Sequence, residues 1–189
     1  MRGLHIKLFT LLLAVVQSST WLRAQEKPPE IPSSMRASSS VADWGTPQIT
    51  FLFVESRQPN DPDTAEDLER IRLRTLKVLS ELSFPVTDEK EKSQREVTML
   101  VAPHVRYGMF HYQNAPYVYL LVRERSSGQL TYCAYQRASH FKSATSKLLT
   151  DWKDTVKRRD LTPSGSLADC AGQAMRPFDA PDSKLVPKF

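Results

Sequence analysis

Two cysteines, four histidines and a tight group of tyrosines are the residues whose chemistry could set what this chain does. Cys133 and His140 could in principle pair as thiolate and base. A thiol on a strand in an oxidising compartment is a poor nucleophile, however, and a disulfide is the better use of it. His104 and His111 have no acid or cysteine at ligand spacing, and His5 and His140 stand apart from them, so no metal ligand set is read. No H-E-x-x-H, G-x-S-x-G or G-x-x-x-x-G-K-[ST] run occurs. Six glycines in the whole chain leave no phosphate-cradling loop. Asp151 and Asp154 belong to a helix surface. Lys157, Arg158 and Arg159 close the same helix, where cations favour its dipole. No catalytic residue, cofactor or metal is implied.

The tyrosines are more informative. All six lie between Tyr107 and Tyr135, in a stretch that reads as successive strands. With four-residue loops at Gln113–Pro116 and Arg125–Gly128, Tyr112 pairs with Tyr117 and Glu124 with Gln129. Period-two alternation then places Phe110, Tyr112, Tyr117, Tyr119, Leu121, Leu130, Tyr132 and Ala134 on one face. The other face carries Val105, Met109, Val118, Leu120, Val122, Cys133 and Tyr135, and is the aliphatic core. Phe110, Tyr112, Tyr117, Tyr119 and Tyr132 are therefore the candidate binding residues, since tyrosine suits surfaces with one apolar and one wet side. Two readings stay open: a platform for a partner or ligand, and a face covered by the tail. A one-residue slip in register would exchange the faces.

The elements that must position these residues follow from pattern. Ile49–Val54 is β-branched and aromatic and reads as a central strand. Asp63 or Thr64 caps a helix with Leu68, Ile71, Thr75, Leu79 and Leu82 on one face, ended by Pro85. Strand-length runs follow at Val97–Val101, Val105–Tyr112, Tyr117–Glu124 and Gln129–Gln136, read as an antiparallel meander. A second helix spans about Ser139–Arg158, burying Phe141, Ala144, Leu148, Trp152 and Val156. The order is β-α-β-β-β-β-α, an α+β fold with two helices on a mainly antiparallel sheet.

The start of the chain reads as an export signal. Arg2 and Lys7 precede the apolar run Leu8–Val16, and Ala24 offers a cleavage point. The run is too short for a spanning helix, which needs ~20 residues. An uncleaved anchor is the rival reading, and the lack of a nearby cysteine argues against a lipidated one. Loss of Arg2, Lys7 and Arg23 with the leader lowers the net charge from +5 to +2, too little for a general claim on nucleic acid. The expected organisation is a signal peptide over 1–24, a disordered Pro/Ser-rich linker over 25–47, the α+β domain over 48–160 and a Pro-rich tail over 161–189. A Cys133–Cys170 bridge pins that tail and contributes about 3–4 kcal/mol by loop entropy. A free thiol or an intermolecular bond is the alternative.

The hairpin YVYLLVRERSSGQLTYCAYQR, after LSELSFPVT and REVTMLVAPHV and before SATSKLLTDWKDTVKR, resembles small bacterial envelope accessory domains. These are of the TolB N-terminal, curli-secretion and penicillin-binding-protein-activator type. The resemblance implies a non-catalytic module docking onto envelope proteins. Cys133, the aromatic hairpins and the Pro-rich tail depart from it. The expected function is an exported, non-enzymatic interaction module, periplasmic or secreted, using the tyrosine face or an exposed strand edge on an envelope or extracellular protein. The alternatives are a glycan or small ligand stacked on the tyrosines, and a hydrolase or transferase whose site assembles from distant residues. No nucleic-acid partner, and no transmembrane segment after cleavage, is expected.

Overall fold

The computed structural model describes residues 32–39, 46–57, 62–102, 105–107, 112–114, 117–138, 140–158 and 163–175. From Ser33 onward these belong to one compact unit. The proposed leader, His5, His104, Phe110 and His111 lie outside the described residues.

In chain order the elements are β1 (Ser34–Ser38), β2 (Thr50–Ser56), α1 (Pro62–Glu81), β3 (Val86–Thr87), a 3-10 turn (Lys90–Lys92) and β4 (Arg95–Ala102). They continue with β5 (Val105–Tyr107), β6 (Tyr112–Asn114), β7 (Tyr117–Glu124), β8 (Leu130–Arg137), α2 (Phe141–Arg158) and α3 (Leu167–Met175). The main sheet has the order β1-β8-β7-β4-β2-β3. Its β1–β8, β8–β7 and β7–β4 pairings are antiparallel, and β2 runs parallel to β3 and β4. The fold is α+β, as the pattern predicts.

Helices α1 and α2 bury the apolar positions that their spacing puts on one side. Ile71 and Leu79 of α1, with Ala144, Leu148, Trp152 and Val156 of α2, pack on Val97, Met99, Val101, Val118, Leu120 and Val122 of the sheet. Helix α1 stops where Ser83 turns left-handed at φ 59°. Phe84 N–H then donates to Leu79 O and Ser83 N–H to Ser80 O, the paired bonds of a Schellman stop.

Four expectations are corrected. Ser34–Ser38, inside the expected linker, is a strand. Alternation sends Met35 and Ala37 to one face, where Ala37 is buried, and the β8 edge satisfies the backbone. Leu167–Met175, inside the expected irregular tail, is a helix, started by Asp169 N–H donating to the Ser166 hydroxyl. Val105–Tyr112 is not one strand of a meander: β5 and β6 pair with each other, while β4 pairs directly with β7. Ala102 faces Tyr117 and Val105 faces Asn114, so the separate β5–β6 pair has the same residue offset as β4–β7. Tyr112 thereby pairs with Tyr107 and not with Tyr117.

The fourth correction decides the faces. Glu124 N–H donates to Gln129 O as the loop predicts, and Arg123 faces Leu130, but Val122 faces Tyr132. The bulge at this point moves β8 by one residue. From there on, Tyr132 and Ala134 turn toward the helices, and Cys133 and Tyr135 turn to the opposite side.

Candidate functional site

The bulge divides the predicted binding residues. Tyr117 and Tyr119 stay together on the face away from α1 and α2, and their third neighbour is Tyr135. The ring centres stand 6.2 Å apart for Tyr117 and Tyr119, 5.9 Å for Tyr117 and Tyr135 and 5.4 Å for Tyr119 and Tyr135. The Arg137 guanidinium lies 5.9 Å from the Tyr117 ring centre. Tyr132 sits in the helical core instead. Burial, and then the charge of Asp151, push its hydroxyl pKa above the ordinary tyrosine value. Tyr112 is placed on β6 by its backbone alone.

The tyrosine cluster is buried, with Tyr119 only 4% exposed. Part of the same face is closed by α3, which packs on β8 and β1 and is joined to the sheet through Cys133–Cys170, a bridge across 37 residues. Both cysteines are fully buried. The three rings make a packed, buried aromatic layer.

The sheet's two edges differ. On β1, strand alternation points Arg36's backbone outward, away from β8. Its N–H donates to the Ser164 hydroxyl at 2.9 Å, and its carbonyl accepts Ser164 N–H at 2.9 Å. A turn thus caps the middle of this edge, one of the ways proteins blunt edge strands.

At the other side, β3 covers only Thr50 and Phe51 of β2. Thr50 N–H donates outward to Pro85 O, whereas Arg57 N–H donates inward to Val101 O. With a two-residue repeat, Leu52 and Val54 also present their backbone groups outward. On this outer side, among the described residues, no strand pairs with β2 beyond Phe51, while β4 pairs along its inner side. Exposed apolar side chains flank this edge: Ile49 is 39% and Phe53 44% exposed, and Val86 is also exposed. Lys90 lies 5.8 Å from the Phe51 ring centre and forms an ion pair with Glu96 at 2.7 Å. The edge is therefore aromatic, with a charge pair beside it.

Sequence reasoning missed Tyr135, and it expected an exposed strand edge without placing it on β2, which it read as central. The first depends on a bulge that no residue type announces. The second depends on β3 being two residues long, although Pro85 and the charged run from Asp88 mark its limits. Among the described residues, no group of three His, Cys, Asp or Glu side chains could hold a metal ion. None of the described helices is long and apolar enough to cross a membrane.

No protein-family model matches the chain, and no curated protein matches it. Among solved structures it is similar to a PelC dodecamer from Paraburkholderia phytofirmans, with 14% identity over 67% of this chain and 98% of that one, at a TM-score of 0.44. It is similar also to a PDZ domain protein from Parabacteroides distasonis, with 9% identity over 65% of this chain and 35% of that one, at 0.44. A third likeness, to the lipoprotein GNA1162 from Neisseria meningitidis, has 11% identity over 59% of this chain and 96% of that one, at 0.32. At these identities and scores the likenesses carry no conclusion about activity.

Proposed function

We propose that the protein is an exported, non-enzymatic binding module that adds an extended segment of a partner protein to the outer edge of β2. The observation that carries this reading is the contrast between the edges: Ser164 caps Arg36 at the middle of β1, whereas among the described residues no strand covers the outer side of β2 at Leu52 and Val54, next to the exposed Phe53 ring. Strand addition uses such a row of backbone donors and acceptors for affinity and the alternate side chains for specificity. The buried disulfide supports a site of action outside the reducing cytoplasm. The resemblance to envelope accessory domains supports an envelope or extracellular protein as the partner.

Photo-crosslinking in the native host tests the proposal. A benzophenone side chain at Phe53 should give a discrete protein adduct, and the same group at Tyr119 should give none. Phe53→Lys, an edge gatekeeper on an exposed position, should abolish the adduct formed from a crosslinker at Ile49 while leaving the melting temperature unchanged. Adducts from Tyr119 and none from Phe53 would overturn the edge in favour of the tyrosine face.

A further inference from the structure

A second surface, separate from the β2 edge, has a different chemistry. Between α1 and the start of α2 lies a cavity of about 310 Å³ lined by Asp67, Arg70, Ile71, Arg74, Phe141 and Lys142. Its floor is apolar, since Ile71 belongs to the core and Phe141 packs against it. Its rim is cationic, because three of the four charged lining residues are basic.

The cations are held in different ways. Arg70 is neutralised along its own helix by Glu66 and Asp67. Arg74 reaches across to α2, where its Nη1 donates to Lys142 O at 3.2 Å. One corner of a five-donor guanidinium is thus fixed, which orients the rest at the cavity. Lys142 makes no ion pair with any described residue, and the first turn of α2 carries no acid to offset it. The charge that Asp67 would cancel is already Arg70's. Arg74 and Lys142 are left as two cations over an apolar floor.

We propose that this cavity binds a small organic anion: one carboxylate or phosphate group, held by Arg74 and Lys142, on a compact apolar body resting against Ile71 and Phe141. The volume is at the small end of the usual range for ligand pockets, about 300–1,000 Å³, and suits a ring with one acid group. Guanidinium–anion geometry is two-pronged, so a planar carboxylate or a phosphate matches it better than a spherical ion does.

Phenyl phosphate, benzoate, benzyl alcohol and inorganic phosphate are the probes, titrated into the purified protein with amide shifts read by NMR. Phenyl phosphate and benzoate should shift the Ile71, Arg74, Phe141 and Lys142 amides and bind at least tenfold more tightly than either benzyl alcohol or inorganic phosphate. Lys142→Gln should weaken phenyl phosphate about tenfold, the loss of one charge-assisted contact. Asp67→Asn should tighten it, a gain that misfolding cannot imitate. Inorganic phosphate binding as well as phenyl phosphate would reduce the cavity to a general cationic patch and end the proposal. Tighter retention on phosphatidylglycerol vesicles than on phosphatidylcholine, abolished by Lys142→Gln and without saturable phenyl phosphate binding, would assign the cations to a lipid surface and also overturn it.

Discussion

The Arg95 guanidinium lies 4.9 Å from the centre of the Phe84 ring. Phe84 in turn meets Trp152 edge-on, with ring centres 6.4 Å apart. Arg95 is only 1% exposed, and its Nη2 stands 3.5 Å from Glu124 Oε1. The first residue of β4 therefore ties the end of α1, the middle of α2 and the end of β7 into one layered contact. Because burying a charge offsets much of its Coulombic gain, the stack should matter more than the ion pair. Denaturant unfolding should place Arg95→Ala about 3 kcal/mol below the wild type and Arg95→Met within about 1 kcal/mol of it. Equal losses in the two variants would show that the charge, not the packing, is what the site needs.

Tyr132 sets an alkaline limit. Its pKa is raised in the folded state, first by burial and then by Asp151. An acid whose folded pKa is raised contributes stability that is fully present below the unfolded value near 10 and is lost as pH climbs toward the folded value. Tyr132→Phe should flatten the fall in melting temperature above about pH 10. An unchanged alkaline slope in that variant would place the cause in other groups.

Glu81 and Lys153 join the two helices at 3.2 Å, with the Lys153 ammonium donating. The Lys153 bond, ahead of its charge, lowers the Glu81 pKa below the ordinary carboxylate value. A lowered folded pKa gives stability that is present above the unfolded value near 4.3 and lost as pH falls through the folded one. In thermal unfolding at acid pH, Glu81→Gln should therefore show a slightly shallower fall in melting temperature than the wild type, and leave the neutral-pH value nearly unchanged because the group is exposed.

Ser83 occupies a left-handed position where glycine has no steric penalty. Thermal unfolding of Ser83→Gly should show a gain of up to about 1 kcal/mol. A loss would mean that the Ser83 side chain contributes more than its backbone strain costs.

The Cys133–Cys170 bridge gives a prediction that separates stability from coverage. Replacing both cysteines by alanine should cost about 3–4 kcal/mol, the entropy of a closed loop of 37 residues. Because α3 packs on β8 beside Tyr135, nitration of Tyr135 should also rise in that variant under native conditions. Nitration of Tyr132, on the helix side, should not.

The α+β class, both long helices and their buried stripes were legible because Ile71, Leu79, Leu148 and Trp152 recur at helical spacing on segments with clear ends. The faces of β7 were legible for the same reason at period two. Those of β8 were not, since one extra residue between Leu130 and Tyr132 inverts every later side chain while leaving the pattern of residue types unchanged. Helix α3 did carry a signal: Ser166-Leu167-Ala168-Asp169 has the spacing of a capping box, hidden by the prolines around it. Strand β1 had none, being five residues with little apolar character whose place is set by β8, far along the chain.

Arg36 and Ser164 are 128 positions apart, yet their bonds close one border of the sheet. Their separation makes the protection of β1 a property of the chain's last quarter. With Ser164 in place, the Arg36 N–H and carbonyl are not available to an incoming strand. A chain cut before Ser164, or unfolded locally there, would return both groups to the open edge, the condition that favours unwanted strand pairing. The same turn that ties β1 to the segment before α3 thus guards the sheet's border at Arg36.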